Sequence, residues 1–150
     1  MDSTTTEQGI KTLVQRHDKV EGQKDLLVEL VEGFFTERQD RVGDAALPKE
    51  MTTQLQHLAS RSGETKSVKE IVNFIRYQIG RDMKREKNWA MKDFGKELID
   101  RIQKVGGLAG SDKEVAIQLV RLFLGYFQRH ARYLEAQKPG NQAPQAPGRG

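Results

Sequence analysis

Apolar residues recur along this chain at three- and four-residue spacing, and each run is bounded by a cap or a breaker. That pattern predicts an all-α, single-domain bundle of about six helices. The first helix is expected over about residues 5–21, opened by Thr4 with Glu7 three places on, with a stripe of Ile10, Leu13, Val14, His17 and Val20. The second covers about 23–42 and turns Leu26, Leu27, Leu30, Val31, Phe34 and Phe35 inward; Gly43 and the stretch to Pro48 end it. A shorter third, about 48–61, uses Met51, Leu55, Leu58 and Ala59, with Pro48 in its first turn.

The fourth helix starts at Ser67, where Glu70 completes a capping box, and carries Val68, Ile71, Val72, Ile75, Ile79 and Met83 on one face. The fifth, about 90–105, uses Met91, Phe94, Leu98, Ile99, Ile102 and Val105. Gly106-Gly107 is its expected stop, through a left-handed cap. The sixth begins at Ser111 with Glu114 three residues later and runs to about 137. It is apolar on most sides from Val115 to Phe127, which marks the central helix of the bundle. Residues 139–150, rich in Pro, Gly and Gln, contain nothing that builds a core and are expected to be disordered. No run alternates with period two long enough to argue a sheet, and no internal repeat is visible.

Charge divides this domain. Residues 1–64 hold 8 Lys/Arg against 12 Asp/Glu, whereas residues 65–138 hold 16 against 9. An acidic first part and a basic second part suggest a polyanionic partner for the second. Charge on solvated helix faces gives the same count, so both readings stand at this point. With no cysteine there is no disulfide and no thiolate chemistry, which fits a reducing compartment. No signal peptide and no membrane-spanning run are expected, so the chain reads as cytoplasmic, without a membrane partner.

Candidate chemistry is sparse. His17, His57 and His130 fall on different helices, and none has a second ligand at metal-binding spacing. No phosphate-binding loop or nucleophile elbow is present. The sequence therefore points away from an enzyme, a metal site or a bound cofactor. The basic helices say more. The fourth sets Phe74, Tyr77, Arg81, Lys84 and Arg85 opposite its apolar stripe, and Lys87 and Trp89 follow. Aromatics interleaved with cations suit the stacking of bases and the neutralising of phosphates. On the sixth, Gln118, Arg121, Gly125, Gln128 and Arg132 form a polar strip edged by Arg129, and Gly125 in mid-helix suggests close approach of another backbone. Packing of Phe74 and Tyr77 on a neighbouring helix, and pairing of the strip with acidic residues, are the alternatives.

The stretch Ser67–Trp89, SVKEIVNFIRYQIGRDMKREKNW, followed by FGKELIDRI at 94–102, resembles the small all-helical subunit of type III CRISPR effector complexes. The likeness covers roughly residues 47–135. It implies a non-catalytic, RNA-binding subunit of an antiviral ribonucleoprotein complex. Copies would self-stack beside other effector subunits along single-stranded RNA or a guide–target duplex. On this chain it implies RNA contacts at Arg76, Arg81, Lys84, Arg85, Arg121, Arg129 and Arg132. The alternative is a helical protein–protein adaptor that binds no nucleic acid.

Overall fold

The structure, a computed structural model, describes residues 3–138; the tail expected to be disordered over 139–150 lies outside the described residues. It is helical, and no strand occurs among the described residues. In chain order the helices are α1 (Ser3–Glu21), α2 (Lys24–Val42), α3 (Met51–Ser62), α4 (Val68–Asp82), α5 (Phe94–Gly107) and α6 (Lys113–Ala136). Five of them, α2–α6, build the packed body around α6, which lies against α2, α3 and α5. As its apolar run predicts, α6 buries Val115, Ile117, Leu119, Val120, Phe123, Leu124 and Phe127, and the residues between them are half-buried.

The sequence predicts six helices sharing one core, and α1 departs from that. It touches the bundle chiefly through α6 and the turn before it, where Arg16 pairs with Asp112 at 3.0 Å and Lys19 donates to the Ala109 carbonyl at 3.1 Å. Of its apolar stripe only Val20 is buried. Ile10 and Leu13 are 57% and 65% exposed, and Val14 and His17 are exposed as well. Periodicity reports that a helix has an apolar face, not that the fold offers a surface to cover it. Leu26 and Met83, both expected inside, are also exposed.

Local chemistry sets the helix ends. Ser67 caps α4, its hydroxyl accepting from the Glu70 N–H at 3.1 Å. At α6 the cap is Asp112 rather than Ser111: one carboxylate oxygen accepts from the N–H groups of Glu114 and Val115. Hydrogen bonds from Arg16 and from these amides hold the Asp112 carboxyl below its ordinary pKa. Gly106 and Gly107 remain helical, and the left-handed residue of that turn is Gly110, at φ +64°.

The segment joining α4 to α5 explains why α5 begins at Phe94 and not near residue 90. Asn88–Asp93 forms short 3₁₀ turns broken at Met91, which is extended, and at Lys92 and Asp93, which are left-handed. These conformations are costly outside glycine and persist where packing over-determines them. Trp89 supplies that packing, being 1% exposed, and its backbone N–H donates to the buried Asp82 carboxylate at 3.4 Å.

Arg38 adds a second anchor. Its guanidinium donates to the carbonyls of Ala45, Ala46 and Lys92 and to Glu97 over 2.9–3.2 Å, and it lies over the rings of Phe34 and Phe94. Close fit also fixes Gly95, where a Cβ would stand 2.6 Å from Ile79 Cγ1 and 2.8 Å from the Trp89 carbonyl oxygen. Gly95→Ala is expected to cost about 1–3 kcal/mol despite alanine's better helix propensity, read as a lower urea midpoint at unchanged m.

Candidate nucleic-acid interface

On α4 the buried residues Ile71, Val72, Ile75, Gln78 and Asp82 define the inner face. Lys69, Asn73 and Arg76 follow at four- and three-residue spacing on the outer one, with Lys66 preceding them in the connection from α3. Beside this row lies a groove of about 830 Å³, closed on its far side by Gln103 and Gly106 of α5 and by Lys113 and Ala116 of α6. Its walls carry four cations, Lys66, Lys69, Arg76 and Lys113, and no carboxylate. None of the four enters an ion pair or a side-chain hydrogen bond among the described residues.

Two helices, α4 and α6, begin in this groove and α5 ends in it, so the partial charges of the helix ends largely offset and the side-chain cations set the potential. The carboxylate of Asp112 close by is taken up by its cap and by Arg16. Such a groove can hold an extended polyanion by its phosphates.

The positions expected to contact RNA divide three ways. Arg76 lines the groove, and Tyr77, 66% exposed, stands on the same helix facing its other side. Lys84 and Arg85 are exposed at the end of α4, about 12 Å along the axis from Arg76, and are unpaired among the described residues. Arg81 lies beside them but has Asp82 at 3.8 Å.

Arg129 and Arg132 are exposed on the C-terminal half of α6, about 20 and 24 Å along its axis from Ala116, and they do not line the groove. Arg129 lies over the Tyr126 ring instead, at 5.9 Å.

Arg121 leaves the set. Its guanidinium donates to the carbonyls of Ser62, at 2.9 Å, and Thr65, clamping the connection between α3 and α4. The polar strip of α6 is therefore a packing surface at this point, since a spaced row of polar residues also arises where a helix ties down a loop. No backbone closely approaches Gly125: a Cβ there would meet nothing within 4 Å. Phe74 is not free to stack either, being half-buried against the core with the Arg61 guanidinium 4.5 Å from its ring.

Sequence reasoning missed Lys66, Lys69, Asn73 and Lys113. The first three repeat with Arg76 at helical spacing and were visible as a row. Lys113 joins them only through the packing of α6 beside α4. Among the described residues no group of three or more His, Cys, Asp or Glu side chains could hold a metal ion. No helix there is long and apolar enough to cross a membrane. Compared with protein-family models, curated proteins and solved structures, the chain finds no match.

Proposed function

We propose that this protein is a non-catalytic, RNA-binding structural subunit of a ribonucleoprotein assembly, with the groove beside α4 as its phosphate track. The observation that carries the reading is four unpaired cations in one groove without a carboxylate. Unpaired cations crowded together repel one another, and a phosphate chain relieves that cost while releasing its condensed counterions. The likeness of Ser67–Trp89 to the small subunit of type III CRISPR effectors supports the same reading. On it, guide or target RNA is the ligand, neighbouring effector subunits are the partners, the compartment is the cytoplasm and the role is antiviral defence.

Ultraviolet crosslinking of the protein to a short unstructured RNA, followed by peptide mapping, tests this. Crosslinks are expected in peptides spanning residues 66–85, with Tyr77 prominent, and fewer in 126–136. Crosslinks scattered evenly over the acidic part would count against it.

The adaptor reading rests on a different observation, the uncovered stripe of Ile10, Leu13 and Val14 on α1. A helix with such a face is a common way to engage a partner protein. It predicts no crosslink, and capture of a folded protein that is lost when Leu13 is made polar.

A further inference from the structure

Across the crest of α4 from the phosphate groove, a second hollow of about 260 Å³ opens between α3 and α4. Leu58 and Ile71, both buried, form its apolar floor. Phe74 has the Arg61 guanidinium over its ring, 4.5 Å from the centroid, and Tyr77 stands exposed at the rim. Two polar groups converge there as well. Glu70 has one carboxylate oxygen accepting from the Thr65 hydroxyl at 3.2 Å, and Asn73 contributes an amide. Asn73 lines both this hollow and the groove, so a strand with its phosphates in the groove passes the hollow within the width of one helix.

The geometry points to a nucleobase site: this hollow receives one unstacked guanine of a single-stranded RNA whose phosphates occupy the groove. The inference rests on the RNA-binding reading and adds a base preference to it. A carboxylate repels phosphate, so the hollow and the groove take different parts of the same ligand. An ionised carboxylate only accepts hydrogen bonds.

Guanine is the base whose Watson–Crick edge presents two adjacent donors, N1–H and the N2 amino group, which match the two oxygens of Glu70. Adenine and cytosine offer one amino group beside an acceptor, and uracil offers a single N–H between two acceptors. Each acceptor set against the carboxylate costs binding. Tyr77 and the Arg61 guanidinium supply the planar surfaces on which unstacked bases are held in RNA-binding proteins.

Fluorescence anisotropy of the full chain tests this with three labelled RNAs at low salt: oligouridine, and the same strand carrying one central guanosine or one central adenosine. The guanosine strand is expected to bind about tenfold more tightly than oligouridine, with adenosine gaining less. Glu70→Gln should abolish the guanosine advantage, and Tyr77→Ala should reduce it. The readout is the ratio between strands, because removing a negative charge from α4 raises the affinity of every RNA alike. Equal binding of the three strands, or a ratio unmoved by Glu70→Gln, overturns the guanine site and leaves the groove intact as an RNA track. Absence of binding by all three removes both.

Discussion

Replacing Arg38 with alanine is expected to destabilise the protein by about 3–5 kcal/mol, which for a chain of this size lowers Tm by roughly 10 °C or more. The guanidinium is fully buried, and three backbone carbonyls and one oxygen of Glu97 depend on it. Truncation leaves the buried Ala46 carbonyl without a donor and removes the tie from the part-buried acceptors on Ala45, Lys92 and Glu97, besides opening a cavity under Phe34 and Phe94. Burial pushes the Arg38 guanidinium below its ordinary pKa, and Glu97 opposes that shift. Arginine's pKa is high enough that the group stays charged under ordinary conditions.

Arg38→Lys keeps a charge but not the planar fork, so it is expected to lose a large part of the same stability. Arg41→Ala, on an exposed partner of the same Glu97, should leave Tm close to the native value. Thermal melts followed by helical circular dichroism rank the three variants. Arg38→Ala melting with the native protein would show that the network over Ala45, Ala46 and Lys92 is not what fixes the segments around α5.

Arg38 also marks where sequence reasoning stops. On the pattern of α2 it is one more charged residue, and nothing local distinguishes a buried arginine from a solvated one. Its partners lie on segments more than fifty residues away as well as next to its own helix. What was legible was local. The Ser67 cap, the helical runs and the apolar centre of α6 are each decided within a few turns. The exposed α1 stripe was misread because amphipathic spacing does not say whether a neighbour exists. Arg121 was misread because a solvated arginine and one clamping a loop look alike on a helical wheel. The candidate groove was half legible. Lys66, Lys69 and Arg76 share a row, but Lys113 and the missing carboxylates are properties of packing.

The second large effect is on RNA affinity. Four engaged cations give a slope of log Kobs against log salt of about −3, at about −0.7 per phosphate contact on a single strand. Lys69→Gln combined with Arg76→Gln removes two contacts from the middle of the row. The pair is expected to halve the slope to about −1.5 and weaken low-salt binding about tenfold or more. Both side chains are exposed, so helix content and Tm should stay near the native values.

The control is a matched pair, Lys11→Gln with Lys49→Gln, which removes the same charge from exposed positions outside the groove. The slope measured side by side for these two double variants bears most directly on the central claim. A flattened slope for Lys69/Arg76 with a native slope for Lys11/Lys49 is the result expected of a phosphate track. Equal slopes for the two variants, or no salt-dependent RNA binding by the native chain, would contradict it.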